Sequence, residues 1–143
     1  PAYMNGASRG MLPEGDPHHF DRTRSDAFKD ADVILIVGTP FDFRMGYGKR
    51  ISDVATLVQI DQSYATVGKN RDISMGIAGD PGAILKAVEQ AASGRISQGL
   101  KKKRQEWMSK LRGIEEIKLE KLMPIFKSEQ NPIHPCRLAY EIN

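Results

Sequence analysis

Two apolar runs, each closing at a turn or an acidic residue, constrain this chain more than anything else in it. The first is Val33-Ile34-Leu35-Ile36-Val37, entered through Ala31-Asp32 and left through Gly38. The second is Leu57-Val58-Gln59-Ile60, which ends in Asp61. Short, mostly β-branched runs bounded by turn residues read as strands buried on both faces, the pattern of a parallel sheet covered by crossover helices. An acidic residue at the carboxyl end of such a strand stands where nucleotide-binding sheets commonly hold a ribose or adenine. The fold class expected is therefore α/β: a Rossmann-like parallel sheet flanked by helices, a partial central domain followed by a helical linker.

The flanking sequence fits around these strands. Pro1 to Gly6 reads as a short strand entering a glycine-rich turn, with no initiator methionine, as an internal piece of a longer polypeptide would show. Met11 to Phe20 is expected to be irregular. Arg22 to Asp30 places Ala27, Phe28 and Ala31 on one helical face, with Asp21 or Ser25 as its cap. Phe41 to Ser52 is a loop at the carboxyl end of the first strand, and Gln62 to Asn70 a turn or short helical piece. Asp72 to Gly79 alternates as a third strand. Asp80-Pro81 then starts a helix, with a capping carboxylate before a proline at the first helical position, and Gly94 stops it.

From Ile96 the character changes. Leu100, Trp107, Leu111 and Ile114 form a stripe at helical spacing, Gly113 is placed to break or bend it, and Pro124 and Asn131-Pro132 to end it. Cys136 to Asn143 resembles the first turns of another helix. The division expected is residues 1–95 as a partial nucleotide-binding-like domain, 96–131 as a helical linker, and 132–143 as the start of a further domain.

Composition excludes several classes of function. A net charge of +3 on 143 residues is too small to argue for nucleic acid. The basic run Lys101 to Arg104 reads as a solvated helix face and Trp107 as a packing anchor. One cysteine, Cys136, cannot form an internal disulfide. No apolar run approaches the ~18 residues that span a bilayer. His18 and His19 lie in a polar loop without a third metal ligand at useful spacing. A cytoplasmic protein with no membrane or nucleic-acid partner is expected.

The order Ala-Asp-Val-Ile-Leu-Ile-Val-Gly-x-x-Phe-Asp-Phe-Arg, then Val-Gln-Ile-Asp, then Gly-Ile-Ala-Gly-Asp before a helix, resembles the central domain of thiamine diphosphate-dependent enzymes. The nearest likeness is to the group of the acetolactate synthase large subunit, benzaldehyde lyase and the 2-hydroxyacyl-CoA lyases. It runs from Pro1 to Ala92, and Ile133-His134-Pro135 is similar to the start of the family's cofactor-binding domain. The resemblance implies a larger enzyme that makes or breaks carbon–carbon bonds, with thiamine diphosphate and Mg²⁺ held by domains outside these residues. Neither the activating glutamate nor a Gly-Asp-Gly motif is present, so this portion is expected to carry no catalytic centre and to be inactive alone. Its partners would be the N- and C-terminal domains of the same polypeptide. Loss of a neighbouring strand would favour a homo-oligomer.

The family's central domain often holds FAD or ADP. Carried over residue by residue, the resemblance implies ligand-facing roles for Asn5, Gly6 and Gly10 in the glycine-rich turn, Arg44 after the first strand, Asp61 after the second, and the pair Gly79-Asp80. Each has a plainer reading: Asp61 ends a strand, Asp80 caps a helix, and Arg44 is a surface ion-pairing residue. The chain also departs from the pattern. Pro40 stands where acetolactate synthases have a flavin-contacting arginine, and Ser63 where a second acidic residue is usual. Whether FAD, ADP or neither binds stays open, as do a lyase reaction and a stand-alone nucleotide-binding module.

Overall fold

A computed structural model describes residues 1–13 and 15–142. Three strands, β1 (Val33–Val37), β2 (Thr56–Asp61) and β3 (Met75–Ala78), form one parallel sheet in the order β1-β2-β3. Ile34 pairs with Leu57, Ile36 with Gln59, and Ile60 with Ile77. Helix α1 (Arg24–Asp30) precedes β1, and α2 (Pro81–Ala92) follows β3. A long helix α3 (Gln98–Phe126) and a short α4 (Pro135–Ile142) complete the fold. The α/β reading therefore holds, and both apolar runs are parallel strands.

The main core lies on one face of the sheet. Ile34, Ile36 and Leu57 pack there against Phe41, Met45, Ile51 and Ala55, with Phe28, Ala31 and Ile73 at the margin. The segment after β1 is more ordered than a loop: Phe43–Gly48 winds into 3-10 turns whose start is fixed by Asp42, its carboxylate accepting the Arg44 N–H. That coil supplies the apolar cover a crossover helix would otherwise provide.

Burial of β1 on both faces is not observed. Val33 is 59% exposed and Leu35 42%, while Ile34 and Ile36 are each at 7%. The reason is the layer above them: β1 is an edge strand and α2 lies over β2, so among the described residues no helix packs closely on the outer side of β1.

Other local expectations divide in the same way. Asp80 caps α2 by accepting the Ala83 N–H at 2.8 Å, Pro81 opens the helix, and Gly94 follows its end with φ +74°. The strand expected over Pro1 to Gly6 is reduced to a single parallel bridge between Ala2 and His19. Gly113 does not interrupt α3, and Pro124 lies inside its last turn. There the Phe126 ring stacks on Tyr140 of α4 at 5.1 Å, so contact with the next helix holds the turn past the proline. The third strand is shorter than expected, four residues.

Helix α3 lies against the chain that leads into α1. Fully buried Leu111 joins Phe20 and Ala27 in a second core, with Tyr3, Trp107 and Met108 packed around it. Neither Asp21 nor Ser25 caps α1. Instead Glu115 of α3 reaches in: Oε1 accepts the N–H groups of Asp21 and Arg22, both at 2.7 Å, and Oε2 accepts the Thr23 hydroxyl at 3.0 Å. A carboxylate beside a helix N-terminus also meets the positive end of its dipole. Arg112 lies 3.8 Å from the Phe20 ring centre and donates to the carbonyls of Pro17 and His19. Lys118 bonds the Arg22 carbonyl and the Asp26 carboxylate.

Candidate functional site

Because the strands run parallel, their carboxyl ends share one edge, and the backbone continues the register just past it. The Gly38 N–H donates to the Ile60 carbonyl at 2.8 Å, and the Gly79 N–H to the Asp61 carbonyl at 2.9 Å. Gly38 turns the chain out of β1 with φ +58°, a conformation that costs glycine little. The edge thus collects Gly38, Asp61, Gly79 and Asp80, which is where open α/β sheets take ligands.

The two carboxylates are similarly prepared. Asp61 Oδ1 accepts the Ser63 N–H at 2.8 Å, and Asp80 Oδ1 accepts the Ala83 N–H at 2.8 Å. In each case one oxygen orients the group through the local backbone. Among the described residues, the second oxygen of each takes no hydrogen bond or ion pair. Two oriented acceptors on a parallel-sheet edge suit hydroxyl or amino donors, such as a ribose diol.

The remaining sequence-derived residues are placed less closely. Arg44 lies on the coil after β1, its guanidinium 3.5 Å from Asp42 and 5.3 Å from the Phe43 ring centre, and mostly exposed. That is the surface ion pair of its plainer reading. Asn5, Gly6 and Gly10 belong to a separate N-terminal turn closed by Ser8, whose hydroxyl donates to the Asn5 carbonyl and accepts its N–H. Gly6 and Gly10 have φ +53° and +86°, and among the described residues a Cβ on either would meet nothing within 4 Å. Among the described residues, no hydrogen bond joins this turn to the strand ends.

Sequence reading passed over Gln59. It is the buried polar side chain of the sheet, with no exposed surface. Its Nε2 donates to the Thr39 carbonyl at 3.2 Å and its Oε1 accepts the Gly68 N–H at 2.8 Å. The available signal was a lone amide interrupting an apolar strand.

Two further features bear on chemistry. A depression of about 320 Å³ lies at the opposite, amino-terminal edge of β2 and β3, lined by Asp53, Leu57, Arg71 and Ser74 among others, and Arg71 closes on Asp53 at 2.8 Å across it. Among the described residues no three His, Cys, Asp or Glu side chains gather as a metal site. The donor set here does not fit a diphosphate-bridging Mg²⁺, which needs several hard oxygen ligands together.

The family described as "Thiamine pyrophosphate enzyme, central domain" matches residues 1–88. The chain belongs to this family. The match covers α1, the whole sheet and most of α2, and so includes the carboxyl edge and both of its aspartates. Among its relatives, the acetolactate synthase large subunit IlvG of Mycobacterium tuberculosis is 32% identical over 142 residues, which is 99% of this chain and 24% of that protein. The 2-hydroxyacyl-CoA lyase 2 of Danio rerio is 30% identical over 122 residues, 82% of this chain and 19% of that protein. The human 2-hydroxyacyl-CoA lyase 2 is 35% identical over 94 residues, 62% of this chain and 15% of that protein. This central-domain chain therefore spans about a quarter or less of the length of these relatives. No helix among the described residues is long and apolar enough to cross a membrane.

Proposed function

We propose that this chain is the nucleotide-holding central portion of a cytoplasmic thiamine diphosphate-dependent enzyme, with the reaction itself carried by other domains. The reaction class is carboligation of 2-oxo acids, as in the acetolactate synthases. The alternative is cleavage of 2-hydroxyacyl-CoA substrates, supported by the comparable identity to those lyases. Either way thiamine diphosphate supplies the carbanion chemistry when bound, with Mg²⁺ at its diphosphate. In this proposal residues 1–95 form the nucleotide-binding-like unit, 96–131 the linker, and 132–143 lead into the cofactor-binding domain.

The observation that supports a ligand role is the pair of half-engaged carboxylates, Asp61 and Asp80, on one sheet edge beside Gly79. Asp61 would accept from a ribose diol, and Asp80 from an adenine or sugar donor, with Arg44 on the flank for phosphate. Asn5, Gly6 and Gly10 would join only through a ligand long enough to reach their turn. Pro40 and Ser63 remove two side chains that a flavin would use, so ADP fits the edge better than FAD.

Calorimetric titration of the chain with ADP and with FAD tests this. ADP should bind saturably with a dissociation constant tighter than ~1 mM, about 4 kcal/mol, and Asp61→Asn should weaken it. Absence of saturation for both ligands ends the nucleotide reading. The chain alone, given thiamine diphosphate, Mg²⁺ and pyruvate, should show no turnover. Measurable acetolactate would overturn the assignment of chemistry to other domains.

A further inference from the structure

We propose that Gln59 is a positioning residue for the ligand edge, its single amide setting the distance between the loops that leave β1 and β2. This rests on the nucleotide reading above and adds to it the element that gives the edge its shape.

Gln59 stands two residues before Asp61 on the central strand, with its side chain wholly enclosed. A buried amide is costly unless both ends are paired. Both partners here are backbone groups, and neither belongs to the strands. Thr39 O lies one residue past Gly38, in the chain leaving β1. Gly68 N lies in the turn that returns from Asp61 toward β3. One end must donate and the other accept, so the partners fix the amide's orientation, and an apolar side chain of the same length matches neither. Asn70 repeats the tie nearby: its Nδ2 donates to the Phe41 carbonyl at 3.2 Å, across the same two loops. Two amides therefore tie these loops together, beside the packing of Ile73 on the core that holds Phe41 and Met45, and the space above Asp61 follows from where they hold the chain.

The chemistry of substitution follows. Gln59→Met keeps the length and leaves the Gly68 N–H and Thr39 carbonyl without partners. Gln59→Glu keeps the acceptor for Gly68 and, once ionised at alkaline pH where the titrations are run, turns a carboxylate oxygen against the Thr39 carbonyl. Neither change touches a residue placed to contact the nucleotide.

The test uses the full chain, ADP as the probe, and four variants. Gln59→Met and Gln59→Glu should weaken ADP binding ~10-fold or more, the scale of one lost buried hydrogen bond. The Gly68 amide should also exchange its hydrogen faster than in the parent. Asn70→Gly, at an exposed turn position with φ +69° that glycine adopts freely, tests the second tie without threatening the fold and should weaken ADP binding ~3-fold. Leu57→Ala is the control: it removes a core side chain from the same strand and should lower the melting temperature while leaving ADP affinity within about twofold. If the parent chain binds no ADP, the nucleotide reading falls and this role with it. If the parent binds and the Gln59 variants bind equally well, only the positioning role falls. It falls too if Leu57→Ala weakens binding as much as they do, or if Gly68 exchange is unchanged.

Discussion

Removing the Glu115 carboxylate should unseat α3 from the body of the protein. Glu115 is 7% exposed and serves three donors: the N–H groups of Asp21 and Arg22, and the Thr23 hydroxyl. Hydrogen bonds to a charged acceptor each contribute ~1.5–3 kcal/mol. Water recovers part of the loss, because Asp21 and Arg22 are not fully buried, so the contributions do not simply add. For Glu115→Ala we expect a loss of about 3 kcal/mol, below the sum of three bonds to a charged acceptor because water reaches part of what is freed. For a chain of this size that corresponds to a fall of ~6–12 °C in melting temperature. Glu115→Gln keeps an oxygen for both N–H groups and presents its NH₂ to Thr23 Oγ1, which can accept, so it should cost only about 1 kcal/mol. Circular dichroism at increasing temperature measures both. Trp107, the single tryptophan, packs beside Leu111 and Phe20 and reports docking independently. Its emission should shift to longer wavelength in Glu115→Ala at a temperature where the sheet is still folded. A loss below about 1 kcal/mol, or equal losses for Ala and Gln, would refute the claim that this carboxylate organises the α1 approach.

Four other outcomes follow from the same geometry. The Lys118 hydrogen bond holds the Asp26 carboxyl below its ordinary value, so its contribution is present above the unfolded value of ~3.9 and is lost as pH falls through the lower folded value. Urea midpoints measured downward from about pH 6 should therefore drop less steeply in Lys118→Met than in the parent. A Cβ on Gly76 would collide with Val67 Cγ1, so Gly76→Ala should cost ~1–3 kcal/mol, with Val67→Ala recovering part of it in the double variant. Arg112→Lys should lose ~1 kcal/mol by chemical denaturation, because an ammonium cannot lie flat on Phe20 while reaching two carbonyls. Leu35→Lys should leave the isolated chain within ~0.5 kcal/mol of the parent and reduce any self-association seen in sedimentation, whereas Ile36→Lys should prevent folding.

What the sequence disclosed was mostly local. Val33–Val37 and Thr56–Asp61 are legible because β-branched runs between turn residues specify strands by themselves, and Asp80-Pro81 with Gly94 specify both ends of α2. The gathering of Asp61, Gly79 and Asp80 on one edge follows from those elements once the strands are parallel. Burial of faces did not follow, since Val33 and Ile34 are chemically alike and differ only in what lies over them. The Glu115 contacts join residues 92 to 94 positions apart, and no local pattern distinguishes that glutamate from Glu116 beside it. Asn5, Gly6 and Gly10 were linked to the edge only through family likeness. Their own hydrogen bonds show a self-contained turn.

The exposed apolar face and the ligand edge are separate features of one sheet. Leu35, Val58 and Met75 lie in register across the three strands, and Leu35 and Met75 are 42% and 57% exposed. Parallel sheets are normally covered on both sides, because both sides are apolar. A row of this kind beside an open edge strand is an apolar surface that the described residues leave uncovered. Covering it would not obstruct Asp61 and Asp80, which sit at the ends of strands rather than on their faces. In our proposal a nucleotide takes the edge, and the face stays clear of it. α3, anchored through Leu111, Arg112, Glu115 and Lys118, then behaves as a strut rather than a slack tether, and fixes the direction in which the chain leaves the sheet.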